Sequence, residues 1–596
     1  MKTMRTRIWG ILLVLTMLLS LMPVTALAAD GDAYDEWTNA TSLPSRGMYK
    51  LTTNVTIADE VTVGGWASSR PESPTSTLTL DLNGYTVTAT NGQAFFVQTS
   101  GGLIIEDSAG TGKITNASES TSSNLIHVNG GQFTLSGGTL ENVMERGCAL
   151  FVNSDSVVTI TGGNIVNTVD GGDAVYVNGG TFEMTGGHID QQSTYSSDAA
   201  IYANNSADSI SISGGEISSA CKGVYAAFTP VNVTGGTFDT NGYAFQTRNL
   251  TVEPADGSEV SVTSDQAVIY SFSGSANKIH GGSFSAPYIS NDYTDEDAST
   301  LEISSGKFAG LTAVEQTESN TQITISGGTY TNTDNTALED VENYIDGDKI
   351  FNDETGAVED LNEENAAASI TKGDTTTYYK DLMTAITAAE SGDTITLMKN
   401  ATLSNDISID KNLAIDGDGQ YKVGYSEGYN PSNYAITVMP KYEFTLKDVE
   451  WNITGTSNYG VDVRYDAALT LDGAKLTISG VSNATISAHT GGASNTNPGK
   501  FTLTNGSAIE ADDIGGNFSN GGDWTLEGDS NITINGCDSY GLSVHTLKVD
   551  GSTVDITGVK YAAVKTNGEG GSIEVVNNGT IEVSESGSRL PFGSNY

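Results

Sequence analysis

The sequence is poor in the residues that most often carry metal or disulfide chemistry. Its 596 residues include three cysteines and five histidines, with no C-x-x-C and no H-E-x-x-H motif. Three cysteines are too few, and odd in number, for a disulfide framework. We therefore expect Cys148, Cys221 and Cys537 to be small buried fillers, and we expect no transition-metal site.

Basic residues are also scarce. The chain has 27 Lys plus Arg against 73 Asp plus Glu, a formal net charge of −46. Phosphate binding depends on cations supplied by the protein, so this charge argues against nucleic acid and anionic lipid as partners.

Long apolar runs are confined to the first 29 residues. Residues 1–29 combine a basic start with an apolar run, Ile11 to Met22, and small residues at Ala26 and Ala28. The run is shorter than the ~20 residues of a spanning helix, so the pattern predicts a cleaved signal peptide. We expect an extracellular or cell-surface protein that is not inserted in the membrane after cleavage.

Glycine, by contrast, is abundant and regularly placed. A phrase of the form apolar-x-apolar, Ser or Thr, Gly-Gly, x, apolar recurs as FTLSGGTL, VTITGGNI, FEMTGGHI, ISISGGEI and VNVTGGTF between residues 133 and 238. Its second glycines are separated by 25, 24, 28 and 21 residues. A period in the low twenties, built from short Val, Ile, Thr and Phe runs that alternate in polarity, predicts the coils of a right-handed parallel β-helix. The Gly-Gly pair shifts the parity of the apolar positions, which indicates a corner or bulge.

The repeats divide the chain into four parts. After the signal peptide, residues 30–333 are predicted to form a first β-helix with an N-terminal cap, because a solenoid end must be covered. Residues 334–372 lose the repeat and carry twelve acidic and two basic residues, which is typical of a linker. Residues 373–596 are predicted to be a second, looser β-helix, capped by a short helix over 378–390. The last repeat is still in phase at Tyr596, which indicates a truncated solenoid.

A resemblance follows from these motifs. The entry LTLDLNGYTV, the SGGTF-type repeats and the unit from Tyr378 to Gln420 resemble secreted and surface proteins of Gram-positive bacteria that contain right-handed β-helix domains. The resemblance covers nearly the whole mature chain. It implies a pectin-lyase-like fold and an extracellular or cell-wall setting, but not an activity, because adhesins, lyases, hydrolases and stalks share that fold.

Catalytic signals are weak. Asp512 and Asp513, beside Ile514-Gly515-Gly516, are candidates for the carboxylate pair of an inverting hydrolase, with His489 one coil earlier as a helper. An acidic, solvated turn explains the same residues in a chain this rich in carboxylates. No cofactor is expected apart from calcium, since stacked turns with Asp and Asn can align oxygen ligands, although no EF-hand or nonapeptide motif defines a site.

Two ladders are more informative. One is predicted from four asparagines 24, 25 and 26 residues apart, which should form hydrogen bonds along the axis: Asn129, Asn153, Asn178 and Asn204. The other comprises candidate ligand-binding aromatic residues, with Gln246 occupying a missing rung: Phe151, Tyr176, Tyr202, Tyr225 and Tyr270. Alternation places their apolar flanking residues inside and the rings on an exposed face. Such a ridge would stack on sugar rings, or would only stack on itself and stabilise the sheet.

Three functions remain open. The sequence favours a non-catalytic, secreted or surface protein that acts as an adhesin or rigid spacer and meets glycans or other cell-surface components. A polysaccharide lyase or glycoside hydrolase on the same scaffold is the first alternative. A purely structural module of a larger cell-wall protein is the second.

Overall fold

The computed structural model describes residues 34–117, 123–292, 297–316, 321–429, 434–454, 459–482, 485–488, 497–567, 570–585 and 592–594. The predicted signal peptide and His489 lie outside these residues. Within the described part of the chain, no helix is both long and apolar enough to cross a membrane.

The chain forms two compact units, each a right-handed parallel β-helix, as the repeats predict. The first unit extends to Asp346 and includes Phe351–Glu359, and the second contains Gly347–Ile350 and the chain from Asp360. In both, a strand of one coil pairs in parallel with its counterpart in the next coil. The all-β, tandem architecture is therefore confirmed.

Two sheets contain the strands of the first unit, and we name them sheet A and sheet B. Sheet A has 23 strands among the described residues: Asp35–Trp37, Gly47–Leu51, Val55–Ile57, Ser76–Asp81, Thr86–Ala89, Gly101–Glu106, Lys113–Asn116, Gln132–Leu135, Thr139–Asn142, Val157–Ile160, Asn164–Asn167, Gly180–Met184, His188–Gln191, Ala207–Ser219, Val231–Thr240, Leu250–Val252, Val260–Ser264, Ala276–Ser285, Ser299–Leu311, Thr321–Ile325, Gly328–Asn332, Lys349–Asn352 and Ala357–Asp360. Sheet B has 11 strands in the same part of the chain: Val61–Val63, Phe95–Gln98, Ile126–Asn129, Leu150–Asn153, Val175–Val177, Ala199–Ala203, Lys222–Ala226, Phe245–Thr247, Ala267–Ser271, Tyr288–Asp292 and Ala313–Glu315.

The second unit is built from four sheets in the described residues. Sheet C contains Ala368–Lys372, Thr375–Tyr379, Asp393–Leu397, Leu413–Asp416, Glu443–Lys447, Ala468–Asp472, Lys500–Thr504, Asp523–Leu526, Thr546–Asp550 and Ser572–Val576. Sheet D contains Ala401–Leu403, Lys422–Tyr425, Glu450–Thr454, Lys475–Ser479, Ala508–Ile514, Asn531–Cys537, Thr553–Val559 and Thr580–Ser584. Sheet E contains Ile407–Ile409, Tyr434–Val438, Tyr459–Val463, Ile486–Ala488 and Ser519–Asn520, and sheet F contains Leu542–Val544, Val564–Thr566 and Phe592–Ser594.

The core consists of columns of apolar side chains that run along each solenoid axis. Because alternate residues of a strand face opposite sides, the inward residue of every coil rests on its counterpart in the next. One such column is fully or almost fully buried: Ile105, Leu135, Ile160, Met184, Ile212, Val233, Val252, Ile279, Ile303 and Ile325. Burial of each such side chain contributes roughly 1.5 to 3 kcal/mol, so stacking supplies the core that no single coil could form.

The Gly-Gly pairs lie at the corner between successive strands of sheet A. Gly163 has φ of +75°, and a Cβ there would lie 2.7 Å from the carbonyl oxygen of Gly138 in the preceding coil. Glycine therefore satisfies both the left-handed backbone and the close approach of two coils. In later coils the strand bends through this corner without interruption, as in Ala207–Ser219, so two predicted strands are observed as one.

The helix of the second unit is shorter than the periodicity predicts. The α-helix, α1, spans Leu382–Ala388, and Asp381 caps it by accepting a hydrogen bond from the Thr384 backbone N–H. Tyr378 lies instead in the strand Thr375–Tyr379, which pairs in antiparallel fashion with Ala368–Lys372. Tyr378 stands at helical spacing from Leu382 only by coincidence. The run of Thr and Tyr in which it lies favours a strand.

The acidic segment 334–372 contains regular structure. A 3-10 helix spans Glu339–Tyr344, and the strands that follow are Lys349–Asn352, Ala357–Asp360 and Ala368–Lys372. Val341 and Val358 pack into the core cluster of the first unit. The 3-10 helix and the strand Ala357–Asp360 pack on the last coil of that unit, as a terminal cap does.

A buried amide ladder ties the coils of the first unit together. Asn116 donates to Asn142 at 2.8 Å, Asn142 to Asn167 at 2.7 Å, and Asn167 to Gln191 at 2.8 Å, and all four side chains are at most 1% exposed. Their amides also donate to turn carbonyls, such as that of Gly147 at 2.9 Å. The asparagines lie 26 and 25 residues apart, a spacing of one coil that is visible in the sequence but was not among the predicted ladders.

We expect Asn142→Ala to lower the free energy of unfolding of the first unit by about 2 to 4 kcal/mol, because it leaves several buried amide and carbonyl groups without partners at about 1 to 3 kcal/mol each. Chemical denaturation checks this. The half-buried Asn178 of the outer ladder is the matched control, and Asn178→Ala should cost about 1 kcal/mol or less. Equal losses in the two variants would contradict the importance of the buried ladder.

Candidate functional site

The outer surface of sheet B carries the predicted aromatic row. The strand register aligns all five candidate residues with Gln246 in the gap: Phe151, Tyr176, Tyr202, Tyr225 and Tyr270. The row also begins earlier, since Phe96 pairs with His127 and His127 with Phe151. Both residues lie in the same apolar-x-apolar frame, FFV and IHV, so the sequence contained the signal for them.

The rings stack on one another along the axis. Centroids are 5.3 Å apart for Phe151 and Tyr176, 4.9 Å for Tyr176 and Tyr202, and 4.5 Å for Tyr202 and Tyr225, with interplanar angles of 16°, 14° and 7°. His127 meets Phe151 edge to face at 4.9 Å. Each inner ring therefore has its two faces covered by its neighbours and presents its edge outward.

This geometry differs from the ridge of uncovered rings expected from the sequence. The five aromatic side chains are half-buried, and the small residues two positions before them are fully buried beneath the surface, as Ala174 and Ala200 illustrate. A sugar ring has no free aromatic face to lie on between Phe151 and Tyr225. Aromatic contacts within the stack each contribute about 0.5 to 1.5 kcal/mol beyond burial, so the continuous part of the ladder stabilises the sheet.

The hydroxyls of Tyr176 and Tyr202 have raised pKa values and remain neutral over the physiological range. Burial, followed by the neighbouring Tyr225 and Tyr176, raises the pKa of Tyr202 to about 12. Burial also raises the pKa of Tyr176, whose hydroxyl accepts a hydrogen bond from Asn204 at 3.4 Å. These groups are hydrogen-bonding edges rather than bases.

The predicted outer asparagine ladder runs beside the rings. Asn153 donates to Asn129 at 3.4 Å, Asn178 to Asn153 at 3.0 Å, and Asn204 to Asn178 at 2.5 Å. The predicted ladder is confirmed. It ends after Asn204, where Ala227 and Arg248 follow in the same position of the next coils.

A buried acidic group lies at the turn that precedes these strands. Asp173 is 8% exposed and accepts a hydrogen bond from the Ala199 backbone N–H at 2.8 Å. Burial, together with the charge of Asp198, raises its pKa to about 7. Burial lowers the pKa of Lys222, two coils further, although Asp173 and Asp198 partly oppose this shift. These residues are not predicted from the sequence, because no local pattern marks Asp173 as buried.

The other sequence candidates do not belong to the aromatic row of sheet B. Asp512 and Asp513 lie exposed in Ala508–Ile514 of the second unit, and Asp512 accepts a hydrogen bond from Asn535 at 2.8 Å. Asp513 has φ of +56°, which is the backbone of a bulge or turn. Cys148, Cys221 and Cys537 are buried free thiols, as expected.

The fold and surface define a right-handed parallel β-helix protein with ladders of aromatic and amide side chains. No family model and no curated protein match the chain. Solved structures that it resembles include a PL6 family alginate lyase, AlyGC, and a single-residue variant of that enzyme. Each alignment has 12% sequence identity and includes 91% of the present chain and 97% of the lyase chain, with TM-scores of 0.25 and 0.26. Superpositions this loose carry no information on substrate or mechanism.

We expect Tyr202→Leu to lower the free energy of unfolding by about 1 to 3 kcal/mol, because it removes two stacked pairs while keeping an apolar side chain. Thermal or chemical unfolding measures the loss. Tyr195 is 58% exposed and outside the ladder, so Tyr195→Leu should have little effect. A loss as large for Tyr195→Leu would contradict the assignment of stability to stacking.

Asp173 predicts a pH dependence of stability. The pKa of Asp173 is about 7 in the folded state, against an ordinary value of 3.8. The folded state therefore binds a proton more tightly than the unfolded state. Its stability is highest below pH ~4 and falls as the pH rises through ~7. At about 1.4 kcal/mol per pKa unit, the loss is about 4 kcal/mol. Denaturation of Asp173→Asn between these pH values should show a flatter profile and greater stability at pH ~8 than the parent. Asp208→Asn, at an exposed carboxyl, is the control and should keep the pH profile of the parent. If the free energy of unfolding depends on pH in the same way in Asp173→Asn, in Asp208→Asn and in the parent, the assignment to Asp173 is wrong.

Proposed function

We propose that this chain is a secreted, non-catalytic surface protein whose β-helix units serve as rigid supports for a binding face, as an adhesin does. The observation that carries the proposal is the set of unbroken side-chain stacks in the first unit. The core column links coils along most of the unit, and the buried amides from Asn116 to Gln191 and the rings from Phe151 to Tyr225 link the successive coils that they span.

Such stacks give the unit stiffness along its axis. Stretching or bending one coil away from the next would separate stacked rings, hydrogen-bonded amides and paired strands at the same time. A rod of this kind advances by ~4.8 Å per coil and keeps any side chain on its surface at a fixed distance from its ends. The excess of acidic residues favours solubility and discourages association between like-charged copies.

A polysaccharide lyase or hydrolase is the second candidate, and one observation favours it. Asp173, in the turn before sheet B, and Lys222, at the start of the strand Lys222–Ala226, act on each other's charge, and the pKa values of the acid and the amine are both shifted towards neutrality. Proton transfer in catalysis benefits from such shifts. Burial of Asp173 and the hydrogen bond from Ala199 also fit a structural carboxyl, which is why we place the enzyme second.

The two functions separate in one assay. The mature chain is incubated with a panel of neutral and acidic cell-surface glycans, and retention and new reducing or unsaturated ends are measured together. We expect retention without steady release of ends, and no change on replacing Asp512 and Asp513 by Asn.

The variant that tests for catalysis is Lys222→Met, which removes the amine and keeps the length of the side chain. Steady release of ends that disappears in Lys222→Met would overturn the non-catalytic proposal and promote the enzyme. Absence of retention on every glycan would leave the structural module of a larger protein as the better explanation.

A further inference from the structure

The aromatic row of sheet B is interrupted at one rung. Gln246 occupies the position between Tyr225 and Tyr270. Phe272 fills part of the space, meeting Tyr225 edge to face at 5.4 Å and Tyr270 at 6.2 Å. We call the surface formed by Phe228, Gln246, Arg248 and Phe272 the ladder gap.

The ladder gap holds polar atoms without partners. Within the described residues, the Oε1 atom of Gln246 and the Nε atom of Arg248 are both inaccessible to solvent and have no hydrogen-bond partner. Buried polar groups are nearly always paired, so two unpaired atoms two residues apart mark this rung as an irregular place in an otherwise satisfied ladder. One atom is an acceptor and the other is a charged donor.

The gap also presents a free aromatic face. Phe228 is 51% exposed, and the guanidinium carbon of Arg248 lies 4.6 Å from its ring centroid, so one face is covered by the cation. Its remaining surface is open, unlike the rings of the continuous stack. Aromatic faces pack against the apolar C–H face of a pyranose through the same contacts that they make in a core.

Charge selects the ligand further. In a chain of net charge −46, some lysines of the first unit pair with carboxylates of the next coil, for example Lys113 with Glu141 at 2.9 Å and Lys278 with Glu302 at 2.8 Å. Arg248 has no such ion pair among the described residues. An unpaired guanidinium fork is the side chain best suited to bind a carboxylate.

We propose that the ladder gap is a binding subsite for a pyranose that bears a carboxylate. Arg248 binds the carboxylate through the terminal N–H groups of its guanidinium, and the open part of Phe228 packs on the ring. The inference rests on the proposed function, since it names the ligand class and the place where the binding face meets it.

The test uses the full mature chain and defined saccharides. A hyaluronan hexasaccharide presents chain uronates, and its carboxyl-reduced form is the neutral match. Sialyllactose against lactose tests a terminal acidic sugar instead. An oligoglutamate peptide tests whether an acidic protein segment is the better ligand. Dissociation constants are measured by calorimetry at low and moderate salt.

We expect an acidic saccharide to bind about tenfold or more tightly than its neutral match, as the loss of a charged hydrogen bond predicts. Arg248→Gln should remove this preference, Arg248→Lys should restore part of it, and Phe228→Ala should weaken acidic and neutral forms alike. The matched control is Arg46→Gln, which removes one charge from an exposed arginine elsewhere in the first unit and should leave binding unchanged. Melting temperatures verify that each variant is folded.

Several results would overturn the subsite. These are equal binding of acidic and neutral forms, tighter binding of the peptide, or an equal loss in Arg46→Gln. Retention of other glycans that is indifferent to Arg248 and Phe228 would reject the subsite and leave the adhesin proposal standing. If no saccharide is retained at all, both the subsite and the adhesin proposal fail.

Discussion

Close contact between successive coils is the constraint on which the rest of this structure depends. Coils are stacked at the distance of paired parallel strands, so nothing larger than a hydrogen atom fits where one corner rests on another. A Cβ at Gly187 would lie 2.7 Å from the carbonyl oxygen of Gly163, and one at Gly162 would lie 2.5 Å from that of Ser136. The Gly-Gly phrase is therefore a packing requirement that repeats because the contact repeats.

The same contact turns identical positions into ladders. When the same residue type occurs at the same position of successive coils, its side chains lie ~4.8 Å apart, a distance that suits stacked rings and amide hydrogen bonds. Inside the first unit this produces the buried amides from Asn116 to Gln191 and, outside, the rings from Phe151 to Tyr225. Both ladders hold coils in register, which a flat and regular sheet would otherwise specify weakly.

Where a ladder is interrupted, the side chains lack the stacking or hydrogen-bonding partner that the other rungs have. The surface at that point therefore differs from the rest of the sheet. The rings between Phe151 and Tyr225 cover one another's faces, whereas in the described part of the chain Gln246 and Arg248 leave a buried acceptor and a buried donor without partners. Regular repeats thus supply stiffness, and irregular rungs supply the groups that a ligand could use. The buried Asp173 is a second irregular rung, because equivalent positions hold Cys148, Ala199 and Lys222.

The sequence by itself determined the solenoid, its two units, the inward and outward sides of each strand and the register of the aromatic and outer asparagine ladders. These follow from spacing, because a period of one coil places equivalent residues in contact. Only the tertiary structure decided that the rings cover each other's faces, that α1 begins at Leu382, that Asp173 is buried and that Phe228 lies under Arg248. These features depend on the path of the turns and on side chains from neighbouring coils, and no local pattern within one repeat encodes that path.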